Sequence, residues 1–425
     1  MQINHLGMNI VGYTEGMFGL GEAVRLNIKA AQNAGIPLHL INYEKVKKGD
    51  YQYTFPYSVN LVQISLNDLD SFFGNIDSNF FKGRYTILFL VWESEYIAPE
   101  LAENLNLFNE IWTTSAYCKS IFEKNYNNPI IIVPHPVEVA LSPIESQNKI
   151  EFFDKKKFSF LFLFSYHSSV ERKNPFFLLN AFTTAFTNKD DVELVIKTVG
   201  ASDYRKVKKR LLHRLPNNIK IQDTVLDKNN VNHLINECDA YVSLHHAEGF
   251  GLTLAEAMYL GKPVIATNYS GNTEFMNEDN SFLVKYKLAT IEKPDRTFCA
   301  KTLWADPLLE DAVEKLQSVY NNSVLRQEKA AAATQSVKAQ LSFAAIGSIM
   351  KDRVVYLYAN FDELAINHQQ QAYFMYKLQS IKAENQNLKR EIRRMKKNKI
   401  IVCVLFLKNM VRKLKKRKVM MSSES

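Results

Sequence analysis

The chain has 425 residues, of which 46% are apolar, 12% aromatic and 23% charged. That length suits two or three domains, and that composition excludes a wholly disordered or fibrous protein. Four cysteines (Cys118, Cys238, Cys299, Cys403) are scattered without a CxxC pair, which excludes a disulfide framework or zinc ribbon and suits a reducing compartment. The net charge of +9 is unevenly placed. From Lys377 onward sixteen Lys and Arg face three Glu, a surplus of +13 that leaves −4 for everything before it. Residues 1–13 show no basic region followed by a long apolar stretch, so no secretory signal is expected. No run of 18 apolar residues is present to span a bilayer.

Short apolar runs alternate with amphipathic stretches, the pattern of a parallel α/β protein. Residues 8–13 are predicted as a strand, 21–34 as a helix closed by Gly35, and 38–43 as the next strand. Strands at 85–91, 110–113 and 130–133 follow. Pro134-His135-Pro136, with His135 in a structural role, and the polar stretch 142–149 then read as an interdomain connection. A second series begins at 158–164, apolar enough to be buried on both faces. Its further strands are 192–198, 219–222, 240–244 and 263–267, with a helix opened by Asn174-Pro175. Two α/β series of similar length imply two sheets facing each other, with a ligand cleft beyond the carboxyl ends of the strands. Helices are expected at 308–320 and, as one long stretch, 325–358. The predicted division is an N-terminal domain at 1–145, a second domain at 146–330, helices packing back at 331–365, and a helical basic tail at 366–425.

The most informative segment follows the strand at 240–244: His245-His246-Ala247-Glu248-Gly249-Phe250-Gly251-Leu252, then Ala255-Glu256-Ala257. Two glycines between a strand and a helix allow a tight turn that presents backbone amides, and a helix N-terminus so exposed is an anion site. Glu248 sits in the turn and Glu256 about one turn inside the helix, so both carboxylates can accept bonds from ligand hydroxyls in one cavity. Downstream come Gly261-Lys262-Pro263-Val264-Ile265-Ala266-Thr267, then Ser270-Gly271-Asn272, Glu274 and Leu283-Val284. Upstream, Arg172-Lys173 lies at the carboxyl end of the first strand of the second series.

The pair Glu248 and Glu256, with seven residues between them, in this order of motifs, resembles the signature of retaining nucleotide-sugar glycosyltransferases of family 4 (glycosyltransferase group 1). The resemblance covers about the first 350 residues. It implies an α/β fold of two facing Rossmann-like domains, the GT-B architecture, with an interdomain cleft. By the same resemblance Glu248, Lys173 and Arg172 are the catalytic candidates. The two cations would neutralise a departing diphosphate, although they are adjacent here and separated in the usual family pattern. Glu256, Gly249, Phe250, Gly251, Leu252, Gly271, Asn272 and the Gly19 of a glycine-rich first loop would bind the donor. Glu93, in a Trp92-Glu93 pair, and His245 and His246 would contact acceptor or sugar. No metal and no cofactor is implied, the nucleotide sugar being a substrate.

Three features compete with that picture. Gly19-x-Gly21 suggests a dinucleotide fingerprint, and with Glu44 at a strand end it would make a nicotinamide oxidoreductase, but Val24 stands where a third small residue allows close helix–sheet packing. Asp68-Leu69-Asp70 has the spacing of a metal-binding pair and equally that of a turn. The basic tail would suit a nucleic-acid-binding protein, but it has few aromatics for base stacking. It more readily suits an anionic membrane surface, because the apolar run 400–407 lies between basic stretches. Apolar residues at Tyr373, Tyr376, Ile381, Leu388 and Ile392 also allow helix pairing into a homo-oligomer. The expected partners are a nucleotide sugar and a glycan or lipid-linked acceptor, not nucleic acid. The expected setting is cytoplasmic, peripheral on the inner face of the membrane.

Overall fold

The computed structural model describes residues 6–16, 18–49, 54–143, 151–292, 298, 302–366, 384 and 387–394. The first sheet comprises β1 (Met8–Gly12), β2 (Leu38–Asn42), β3 (Val59–Gln63), β4 (Tyr85–Leu90), β5 (Glu110–Thr113) and β6 (Ile130–Ile132). They pair in the order β2-β1-β3-β4-β5-β6, all parallel. Between them run α1 (Gly19–Asn33), α2 (Tyr43–Lys48), α3 (Leu69–Asn75), α4 (Pro99–Ala102) and α5 (Ala116–Phe122).

The second sheet comprises β7 (Phe158–Ser165), β8 (Val192–Val199), β9 (Ile219–Asp223), β10 (Ala240–Ser243), β11 (Val264–Thr267) and β12 (Phe282–Val284), again parallel. Its order is β12-β11-β10-β7-β8-β9. Its helices are α6 (Val170–Lys173), α7 (Pro175–Ala185), α8 (Arg205–Leu211), α9 (Lys228–Glu237) and α10 (Leu252–Tyr259). Strand order reverses between β7 and β10, so the loops leaving these two neighbours in opposite directions open a crevice at their carboxyl ends. The expected two Rossmann-like domains are therefore present.

Several elements differ from the sequence expectation. β3 was not anticipated because Asn60 and Gln63 interrupt its apolar run. Both are buried in a polar ladder across the sheet: Asn9 Nδ2 donates to Asn60 Oδ1 at 2.8 Å, and Asn60 Nδ2 donates to Thr86 Oγ1 at 3.1 Å. Beyond the strands read in the sequence, β13 (Tyr286–Thr290) and β14 (Leu303–Pro307) form an antiparallel hairpin that leads into the last helices. Glu44 lies inside α2 rather than at a strand end, its N–H donating to the Asn42 side-chain cap. Val24 is accommodated from the other side: a Cβ on Gly12 of β1 would stand 2.9 Å from Val24 Cγ1, so the strand supplies the glycine that the helix lacks.

After α11 (Leu309–Asn321) the stretch predicted as one helix is two, α12 (Ser323–Gln340) and α13 (Phe343–Ala359), followed by α14 (Phe361–Ile366). Ser342 caps α13, and the Val137 N–H donates to the Leu341 carbonyl at 2.6 Å. The break returns the chain to the first domain, where Gly347 packs so closely that a Cβ would lie 2.4 Å from the Ala30 carbonyl. Residues 367–383, 385–386 and 395–425, with most of the predicted pairing helix, the apolar run 400–407 and the basic stretch after it, lie outside the described residues.

Arg353 of α13 fastens this return. It reaches Glu110, which has no exposed surface and also accepts from Trp112 Nε1 at 2.6 Å and the Tyr85 hydroxyl at 3.1 Å. Removing one partner of a buried ion pair leaves an uncompensated charge, costing about 3 kcal/mol or more. Arg353→Ala is therefore expected to lower the midpoint of thermal unfolding clearly, and a midpoint unchanged in calorimetry would contradict the clamp.

Candidate functional site

Two loops meet at the crevice of the second sheet. The first leaves β7 and forms the one-turn helix α6, with Ser169 capping the Arg172 N–H at 3.2 Å. Asn174, at φ 55, ends α6 and turns directly into α7 with Pro175 at its first position. Arg172 and Lys173 thus occupy the last turn of their own short helix, where the backbone dipole favours cations, rather than the start of the longer one. The second loop leaves β10 and runs through Glu248 to Gly251, whose φ of 93 opens α10 without a side-chain cap. The loops are laced together: His246 N–H donates to the Arg172 carbonyl at 2.9 Å, and Asn174 Nδ2 to the Leu244 carbonyl at 3.0 Å. Three of the non-glycine residues with positive φ, Ser169, Asn174 and Ser270, border this site.

Glu248 is buried at the centre and takes an ion pair from Lys173, with Arg172 Nη1 at 3.0 Å from its other oxygen. Arg172 is also buried, bonding the Ala247 carbonyl at 2.9 Å and Ser168 Oγ at 2.8 Å. Burial alone would push the Glu248 carboxyl up, but Lys173 and Arg172 overcome it and hold the group well below its ordinary value. Burial pulls the Lys173 ammonium down, and Glu248 opposes that. The Glu248 N–H is held by Ser270 Oγ at 2.7 Å, and its carbonyl accepts from Gly271 N–H at 2.7 Å. Glu93, from the first domain, stands 3.6 Å from Arg172.

Glu256, inside α10, pairs with Lys228 at the start of α9. Its second oxygen is buried with no partner among the described residues. Burial pushes this carboxyl up, Lys228 opposes, and Glu22 of α1, in the first domain, adds to the rise. Lys228 was missed in the sequence. Its signal was a cation in the first turn of a helix, unfavourable to the dipole unless it is partnered.

The remaining candidates divide. Asn272 joins the cluster through its side-chain oxygen Oδ1, which accepts from His245 Nε2 at 3.1 Å. His245 is fully enclosed, and burial brings it down to about 4, so it is a neutral support rather than an exposed contact. His246 stacks on Trp304 with ring centres 4.1 Å apart. Phe250 is buried, and Leu252 and Gly251 begin α10. Gly271 is a close-approach glycine, since a Cβ there would lie 2.0 Å from the Gly249 carbonyl. Gly19 faces open space at the start of α1. His135 is buried at the domain junction, stacked on Phe89 and edge-on to Phe250, each with ring centres 5.4 Å apart. Asp68 and Asp70 are spent locally, on the Tyr13 hydroxyl at 2.7 Å and Asn104 Nδ2 at 3.0 Å. Among the described residues no three His, Cys, Asp or Glu are grouped as metal ligands.

Residues 145–292 match the family model described as Glycosyl transferases group 1. No curated protein matches the whole chain significantly. Among solved structures, the fold is similar to HepE of Anabaena in complex with UDP and glucose (TM-score 0.58, 14% identity, 83% of this chain and 100% of that one). It is also similar to sucrose-phosphate synthase of Thermosynechococcus elongatus (TM-score 0.61, 13% identity, 84% and 100%). TarM of S. aureus, in complex with ligands that include UDP, is a third (TM-score 0.51, 14% identity, 71% and 55%). At these identities the likeness establishes the fold.

The charge pairing at Glu248 has a pH consequence. A carboxyl whose folded value lies below its ordinary 4.5 adds stability that is full above that pH and is lost as pH falls through the folded value. Glu248→Gln lacks this contribution, so its unfolding midpoint is expected to fall less steeply than the parent's below pH 4.5. Parallel curves in calorimetry would contradict the pairing.

Proposed function

We propose, with the group 1 glycosyl transferase domain at residues 145–292 as the premise, that the protein moves a sugar from a nucleoside-diphosphate donor to a hydroxyl acceptor with retention of configuration. The observation that carries this reading is the buried Arg172–Lys173–Glu248 cluster at the switch-point crevice. Breaking the anomeric bond develops positive charge on the sugar ring and negative charge on the departing diphosphate. Arg172, Lys173 and the uncapped amides at the start of α10 are fixed dipoles and charges for the diphosphate, each worth several kcal/mol in a water-poor site. Glu248 faces the ring side as an electrostatic stabiliser. The unpartnered oxygen of Glu256 suits the ribose hydroxyls, which supply the donors that it lacks. A phosphate oxygen takes the acceptor's proton, and closure of the cleft limits hydrolysis.

Fixed cations take the part that a metal plays in other transferases, and the reaction runs without a metal or cofactor. The HepE and TarM structures hold UDP, so a uridine donor is the first to try. A nicotinamide oxidoreductase is disfavoured by the position of Glu44 inside α2 and leaves the Glu248 cluster without a role. A nucleic-acid-binding protein leaves the acidic body without a role. With UDP-sugars as donors, Lys173→Ala is expected to lower kcat about a hundredfold, and Glu256→Ala to raise the donor KM about tenfold, with full activity in EDTA. Parent-like kinetics in both variants, or loss in EDTA restored by Mg²⁺, would contradict the assignment.

The setting we propose is assembly of a bacterial surface polysaccharide or glycolipid, at the cytoplasmic face of the membrane. The +13 surplus from Lys377 onward supports it, since each Lys or Arg near an anionic leaflet contributes about 1 kcal/mol. The full chain is expected to sediment with anionic liposomes at low salt, and a chain ending at residue 370 to remain in the supernatant. Equal behaviour of the two would exclude the tail as the anchor.

A further inference from the structure

The carbonyl of Gly249, between Glu248 and Phe250, points out of the second domain and into the first. Thr114 Oγ1 and Ser115 Oγ each donate to it at 3.0 Å, and Cys118 Sγ lies 3.2 Å away. Thr114 and Ser115 come from the turn between β5 and α5, Cys118 from the first turn of α5, and all three are buried. A carbonyl oxygen has two lone-pair directions. Two hydroxyls and a thiol, the last also 3.1 Å from the Trp92 carbonyl, therefore over-determine its direction. Burial pushes the Cys118 thiol up, so it keeps the proton that it donates. The peptide is walled on both sides. A Cβ on Gly249 would stand 2.2 Å from Val91 Cγ1 of the first domain, and one on Gly271 would stand 2.0 Å from the same carbonyl. In a planar trans peptide the C=O and the following N–H point in opposite directions. Fixing the Gly249 carbonyl toward the first domain therefore fixes the Phe250 N–H away from it, and with it the plane beside Glu248.

We propose that Thr114, Ser115 and Cys118 are positioning residues of the first domain that set the Glu248-Gly249-Phe250 backbone in the second, so that this loop takes its working geometry only with the two domains closed together. The inference rests on the sugar-transfer reading. It differs from a simple interdomain adhesive in what it predicts. The nucleotide is held by groups of the second domain, Lys173, Glu256 and α10, so binding survives when the first domain lets go, while turnover does not. A misplacement of about 1 Å in a reacting loop costs up to about a hundredfold in rate.

The test compares Thr114→Val and Thr114→Ser, alone and with Cys118→Ala, in the full chain. Ser115 is left intact because it also caps α5. Donor kcat and KM are measured by release of UDP from a UDP-sugar panel, UDP affinity by calorimetry, and folding by the unfolding midpoint. The expected result is a kcat at least about tenfold lower for Thr114→Val/Cys118→Ala, with UDP affinity within about twofold of the parent. Thr114→Ser, which keeps the hydroxyl, should restore turnover. Parent-like kcat in the double variant overturns the proposal, as does a loss of kcat matched by loss of UDP affinity. A parent that binds UDP but turns over no nucleotide sugar removes the sugar-transfer reading and this inference with it.

Discussion

Burying two cations beside one carboxylate is the constraint on which the crevice of the second domain depends. Each ion costs several kcal/mol to desolvate, and mutual attraction repays that cost only when the geometry is held and the remaining donors are satisfied. The surrounding chain meets both conditions. Ala247 and Ser168 take the spare donors of Arg172, while Ser270 and Gly271 hold the Glu248 backbone. Left-handed backbone at Ser169, Asn174 and Ser270 is the local strain that this arrangement sustains. Arg172, Lys173 and Glu248 together carry a net positive charge, with Glu93 of the other domain only partly buried beside them. Such a pocket attracts an anion of matching size.

The site is shared between the domains. Besides the Gly249 contacts, the Ala116 N–H donates to Glu274 at 2.8 Å, the Tyr269 hydroxyl to Glu95 at 3.0 Å, and Tyr117 meets Tyr269 edge-on. His135 bridges the sheet of one domain and the glycine loop of the other, neutral because burial lowers it to about 3. On the far side α13 returns to the first domain and is pinned there by Arg353. Domain closure and loop geometry are thereby coupled through packed, satisfied contacts rather than through flexible linkers alone.

The second domain was largely legible in the sequence because its strands are nearly pure apolar runs and its site residues cluster in two short motifs. Glu248, Lys173 and Arg172, which the family resemblance singled out, lie together at the crevice. What escaped shares a physical cause: long-range partners leave little local pattern. β3 reads as polar because Asn60 satisfies neighbours on either side of it, and only the assembled sheet shows why. Lys228 has no motif of its own, and its meaning comes from Glu256, twenty-eight residues later. Thr114, Ser115 and Cys118 look like an ordinary strand end and helix cap until another domain is set against them. The helix break at Leu341-Ser342 likewise answers to Val137 and Glu138, which accept or donate across it.

The most direct measurement is a crystal structure of the full chain with a bound nucleoside diphosphate, UDP first. Sugar transfer through this crevice predicts diphosphate oxygens within hydrogen-bond distance of Lys173, Arg172 and the amides opening α10, with the ribose hydroxyls on Glu256. A nucleotide bound elsewhere, or one seated at the glycine-rich first loop with its phosphates away from Lys173 and Arg172, would contradict it.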